Sequence, residues 1–212
     1  MLSRLLLVTD RYRMKPNFES ALTAALRGGA RLVQIREKDL SGDELLPLAE
    51  RAQQLCTRFG AHLLINGHPE VAQAVGASGV HWSSSVLDSD AHQTPIYTPL
   101  TDRFLQGVSV HSPGQAKAAL RGVFDYLIFG SIFATQSHPG ELPAGIERLR
   151  ETIAATYGVR QLPVFAIGGI TSENADQCLG AGADGIAVIG AAWDNDDVEG
   201  AVRGLLATLP AH

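Results

Sequence analysis

Val164-Phe165-Ala166-Ile167-Gly168-Gly169-Ile170-Thr171 compresses a strand-to-helix junction into one short segment. Four consecutive apolar residues with no polar alternate read as a parallel strand covered on both faces. The paired glycines let the backbone turn tightly. Thr171 stands where a helix N-cap would sit. Downstream, Ala181-Gly182-Ala183-Asp184-Gly185 leads into a second apolar run, Gly185–Ile189, closed by Gly190.

The same pattern extends back to the start of the chain. Apolar runs recur at Leu5–Val8, Leu32–Ile35, Leu63–Ile65, Gly79–Trp82, Gly107–Val110 and Tyr126–Phe129. Helical patterns lie between them at Phe18–Arg27, Asp43–Phe59, Pro69–Val75, Pro113–Leu120, Ile146–Tyr157, Ser172–Leu179 and Val198–Leu209. Glycine often follows a helix, where a left-handed residue is wanted, and Ser112 is a second expected N-cap. About eight strand–helix alternations predict an α/β protein folded as a (β/α)8 TIM barrel. A doubly wound open sheet is the rival; the count of eight and the lack of G-x-G-x-x-G after the first run favour the barrel. Ser83–Asp102 has little periodicity, so the fourth helix is expected to be degraded or replaced by a loop. No linker or repeat divides the sequence, which predicts one domain over residues 1–212.

Composition narrows the function classes. With 45% hydrophobic and 18% charged residues among 212, the chain carries enough apolar surface for a sizeable core, which excludes general disorder. The net charge of −5, with Lys and Arg scattered, argues against a nucleic-acid groove. The apolar start stops at Asp10, too short to span a bilayer, so no membrane association is expected. The two cysteines, Cys56 and Cys178, fall inside predicted helices; a disulfide and a structural zinc site are not expected, and a reducing cytoplasm fits.

In such barrels chemistry sits at the C-terminal ends of the strands. Those ends offer Thr9-Asp10, Gln34, Arg36, Lys38, Asn66, His81, Ser109, His111, Ser131 and Thr135. Alternation on an extended strand puts Gln34, Arg36 and Lys38 on one face, suited to an anionic ligand; the competing reading pairs Arg36 with Glu37 or Asp39. Gly168-Gly169 and Ile189-Gly190 occupy the place of a barrel phosphate site built from backbone amides. His81 reads as structural and His111 as a helix cap, while His62, His68 and His92 read as surface residues. His138 lies in the loop after the sixth strand, where it can move protons near neutral pH.

Taken together, Val8-Thr9-Asp10, Gln34-Ile35-Arg36-Glu37-Lys38, Leu64-Ile65-Asn66, Gly79-Val80-His81, Gly107–His111, Phe129–Thr135, Ala166–Thr171 and Ala181–Gly185 resemble the thiamine phosphate synthase/TenI superfamily over nearly the whole chain. The resemblance implies a (β/α)8 barrel. Synthases of this kind join a hydroxymethylpyrimidine diphosphate to a thiazole phosphate with magnesium, whereas TenI relatives include thiazole tautomerases. Several positions depart from the synthase pattern. Asn66 is followed by Gly67 where a synthase has Asp, and Val86 stands where the other metal carboxylate is expected. His138 replaces a loop lysine. Asp39 or Asp88 could in principle substitute as ligands. The tautomerase pattern is also incomplete, because the His expected after Phe129-Gly130 is Ser131.

These features lead to the expectation of a metal-independent TenI-type tautomerase without a cofactor. Gly168, Gly169, Ile189 and Gly190 would bind phosphate. Gln34, Arg36, Lys38, Asn66 and Thr135 would bind the rest of the substrate. His138 would act as acid/base, with Ser109 and Ser131 orienting. A synthase with an altered magnesium site, and a silent binding protein for thiazole phosphate or thiamine phosphate, are the alternatives. The sequence also resembles the barrel domain of Nudix fusion proteins, so a Nudix hydrolase partner, like a homo-oligomer, is left open.

Overall fold

The structure, a computed structural model, describes residues 2–87, 104–136, 140, 142–157 and 161–210. Eight parallel strands run in sequence order and close on themselves: β1 Leu5–Val8, β2 Leu32–Ile35, β3 His62–Asn66, β4 Gly79–Trp82, β5 Leu105–Val110, β6 Tyr126–Gly130, β7 Val164–Ile167 and β8 Gly185–Val188. The seam between β1 and β8 pairs Leu5 with Ile186 and Leu7 with Val188. The helices are α1 Phe18–Arg27, α2 Gly42–Arg58, α3 Pro69–Ala74, α4 Pro113–Ala119, α5 Gly145–Ala154, α6 Ala175–Gly180, α7 Gly190–Trp193 and α8 Val198–Ala207. This is the expected (β/α)8 barrel.

Strand alternation divides the apolar residues between two cores. Leu6, Val8, Leu32, Leu64, Tyr126, Ile128 and Phe165 fill the barrel interior. Their neighbours Leu5, Leu7, Val33, Leu63 and Ile65 pack outward against the helices. Both faces are dry, which is why these strands read as continuous apolar runs.

Helix starts follow their caps. Asn17 accepts from the Ser20 N–H. Ser41 and Glu44 form a reciprocal capping box. Ser112 accepts from the Gln115 N–H as expected. Thr171 does not cap α6, which begins at Ala175. Its N–H instead donates to Asn174 Oδ1 and its hydroxyl accepts from the Glu173 N–H, making a separate turn before the helix. His111 is likewise no cap, since its Nδ1 pairs with the Gly130 carbonyl at 2.8 Å. After β4 a short 3₁₀ turn, Ser84–Leu87, takes the place of the fourth helix's start. His92, Asp88 and most of the weak Ser83–Asp102 stretch lie outside the described residues. Cys56 and Cys178 are both free and buried. Among the described residues no helix is long and apolar enough to cross a membrane.

Candidate active site

The glycine turns after β7 and β8 line one cavity of about 410 Å³. Gly168, Gly169, Ile189 and Gly190 meet there with Ser131 and Thr135. Gly168 has φ 102° and Gly169 φ 63°, backbone shapes that side chains rarely adopt. A Cβ on Gly168 would lie 2.6 Å from the Ser131 Cα. The sequence therefore keeps glycine where the end of β6 approaches the main chain. The short α7, absent from the sequence-based expectation, positions Gly190. Its Trp193 is buried and donates through Nε1 to the Val8 carbonyl at 2.7 Å, tying the β8 turn to the end of β1.

A second polar group gathers at β2 and β3. Gln34 is buried and its Nε2 donates to Asn66 Oδ1 at 3.0 Å, leaving Gln34 Oε1 with no hydrogen-bond partner among the described residues. Arg36 is partly buried, and only its backbone N–H is engaged among the described residues, by Thr9 Oγ1. Burial lowers the Arg36 pKa, while the charges of Asp10 and Glu37 oppose that shift. The expectation that Gln34, Arg36 and Lys38 share a strand face is corrected in part. β2 ends at Ile35, and Lys38 is exposed in a turn. The cause is Glu37, which is buried. It accepts from Thr9 Oγ1 at 2.6 Å and from the Arg11 backbone and guanidinium at 3.2 Å. The competing pairing of Arg36 with Glu37 or Asp39 is also replaced. Asp39 belongs to Arg11, at 2.6 Å, and to the Tyr12 hydroxyl. The Arg11 hydrogen bond, then that of Tyr12, holds Asp39 far below the ordinary carboxylate range.

His81 sits inside the barrel, its Nδ1 against the Tyr126 hydroxyl and its Nε2 2.9 Å from Ser109 Oγ. Burial first, then the charge of Arg36, pushes its pKa down to about 3. It is neutral and structural, as expected, and it engages Ser109. His138 lies outside the described residues. Sequence reasoning missed Arg11, Arg13 and Asp194, and named Glu37 only as a rival partner for Arg36. Arg13 and Asp194 line the same cavity as the glycine turns, and a pass that stopped at the strand ends could not reach them. The signal available was the Arg11-x-Arg13 pair directly after Thr9-Asp10.

Magnesium needs hard oxygen ligands. Gly67 and Val86 offer none at the positions where the resemblance places them, Asp39 is engaged by Arg11 and Tyr12, and no group of three metal-binding side chains occurs among the described residues. The described residues do not fit that ion.

Comparison with known proteins gives a consistent result. A Chloroflexus aurantiacus thiamine-phosphate synthase is 38% identical over 211 residues, covering 97% of this chain and 92% of that one. A Geobacter sulfurreducens protein, named provisionally as a thiamine-phosphate synthase, is 40% identical over 209 residues, covering 97% and 94%. The structure of thiamine phosphate pyrophosphorylase from Pyrococcus furiosus superposes with a TM-score of 0.79 at 32% identity, covering 97% of this chain and 94% of that one. A family model described as thiamine monophosphate synthase matches residues 5–192, so the chain belongs to the thiamine monophosphate synthase family.

Proposed function

We propose that the chain forms thiamine phosphate: it holds a thiazole phosphate at the β7 and β8 glycine turns and a pyrimidine diphosphate at β2 and β3, and joins them. This reverses the order of the sequence-based alternatives. The relatives carry the synthase name, and one structural observation favours the same choice. Gln34 Oε1 is a buried acceptor without a donor among the described residues, which is costly unless a ligand supplies one. The amino group of the thiamine pyrimidine supplies an N–H. A thiazole carboxylate, the tautomerase substrate group, offers only acceptors.

The reaction also suits the residues at hand. The thiazole nitrogen lone pair forms a C–N bond to the pyrimidine methylene while the C–O bond to diphosphate breaks. Pyrophosphate leaves and the thiazole nitrogen becomes cationic. No proton moves, so no general base is required. That agrees with a site whose described histidine in the barrel, His81, has both ring nitrogens engaged. Arg36 is the partly buried cation available to the departing diphosphate. Because the described carboxylates do not fit magnesium, no step is assigned to a metal.

The tautomerase reading retains one observation in its favour, the Asn66-Gly67 pair that resembles the TenI branch. It would use His138 as acid/base. Supplying both substrates and following pyrophosphate separates the readings. Release that requires both substrates supports joining. Isomerisation of the non-aromatic thiazole carboxylate, lost in His138→Ala, supports the tautomerase. Tight thiazole phosphate binding without turnover supports a silent binding protein.

A further inference from the structure

Arg13 and Asp194 lie over the glycine turn after β8. Arg13 Nε pairs with Asp10 Oδ2 at 3.0 Å, and its Nη1 pairs with Asp194 Oδ2 at 2.6 Å. Nη2 makes no hydrogen bond or ion pair among the described residues. A Cβ built on Gly190 would lie 2.5 Å from Asp194 Oδ2 and 3.5 Å from Arg13 Nη1. The Asp194 carboxylate therefore sits directly against Gly190, and both line the cavity that the glycine turns open into. It is the only acidic residue lining the 410 Å³ cavity, and Arg13 the only cationic one, among the described residues. The same pair also walls a second cavity of about 270 Å³, lined by Tyr12, Lys15 and Asp196 among others. That cavity gives a displaced carboxylate room to turn.

We infer that Arg13 is the side-chain cation of the phosphate station and that Asp194 competes with the substrate phosphate for it. Asp10 fixes the guanidinium through Nε. The Nη edge then faces two rivals, the carboxylate of its own chain and the incoming anion. A phosphate dianion carries more charge and three oxygens, so it displaces the carboxylate, which swings toward the second cavity. The pair keeps Arg13 aimed at the cavity while weakening phosphate binding, which favours product release. This inference rests on the glycine turns being the phosphate station.

Isothermal titration of the full chain with inorganic phosphate and with thiazole phosphate tests it. Arg13→Gln is expected to weaken both at least about tenfold, the scale of one charge-assisted hydrogen bond. Asp194→Asn is expected to tighten both severalfold, and the double variant to match Arg13→Gln alone. Thermal unfolding of each variant confirms that it is folded. Unchanged affinity in Arg13→Gln overturns the inference alone. Weaker binding in Asp194→Asn makes that residue a positioning group and also overturns the competition. If the wild-type chain binds neither probe, the reading of the glycine turns fails together with the inference.

Discussion

Replacing Arg36 with methionine is expected to separate binding from folding. The guanidinium is partly buried, its side chain makes no hydrogen bond or ion pair among the described residues, and burial holds its pKa below the ordinary value. A folded-state pKa below the unfolded one means that the charge is better solvated in the unfolded chain. An arginine stays protonated in proteins, so this penalty is present at neutral pH. Methionine removes the desolvation cost and loses the attraction to Asp10 and Glu37. The second loss is small, because Asp10 already has Arg13, and Glu37 has Arg11 and Thr9. The net effect is expected between zero and about 2 kcal/mol of stabilisation. At roughly 2–4 °C per kcal/mol for a chain of this size, Tm rises by about 0–8 °C. The same change removes a charge-assisted contact worth about 1.5–3 kcal/mol, so inorganic pyrophosphate should bind roughly 10–100-fold more weakly. Calorimetric unfolding and titration with pyrophosphate measure the two effects. A drop in Tm of more than about 5 °C with unchanged pyrophosphate affinity would refute the reasoning, because Arg36 would then be a structural cation.

Three further outcomes follow from the same geometry. His81 is held near 3 against an ordinary 6.5, so the unfolded chain takes a proton that the fold refuses. Stability should therefore fall as pH drops from about 6.5 toward 3, by up to about 1.4 kcal/mol per pH unit; His81→Gln should flatten that limb in thermal melts, and equal slopes would count against it. Gly168→Ala places a Cβ 2.6 Å from the Ser131 Cα at φ 102°. It should cost about 2 kcal/mol or more and abolish thiazole phosphate binding, whereas Gly180→Ala, which meets nothing within 4 Å, leaves binding intact. Glu37→Gln weakens the acceptor for Thr9 and Arg11, so urea unfolding should show a loss of about 1.5–3 kcal/mol, with kcat/KM falling as the β1 loop loosens.

The barrel could be read from the sequence because its strands carry one message at every level. Leu5-Leu6-Leu7-Val8 alternates between the helix layer and the barrel interior, and both are apolar, so the run reads as a buried parallel strand. The glycine turns were legible for a similar reason, since Gly168 and Gly169 adopt backbone shapes that few other residues tolerate. The charged half of the mouth was less so. Strand alternation was extended through Lys38, but the buried Glu37 carboxylate, satisfied by residues 26 and 28 positions away, turns the chain after Ile35. Long-range pairs such as Arg13–Asp194, 181 positions apart, leave no local pattern. The short α7 was hidden because a four-residue helix shows no periodicity.

Two phosphorylated substrates are proposed to meet in one mouth and be joined there. Purified chain incubated with pyrimidine diphosphate and thiazole phosphate, analysed for thiamine phosphate, tests it most directly. Thiamine phosphate and pyrophosphate are expected in equal amounts, and neither when one substrate is omitted. No thiamine phosphate with both present, at concentrations where each binds, would contradict it.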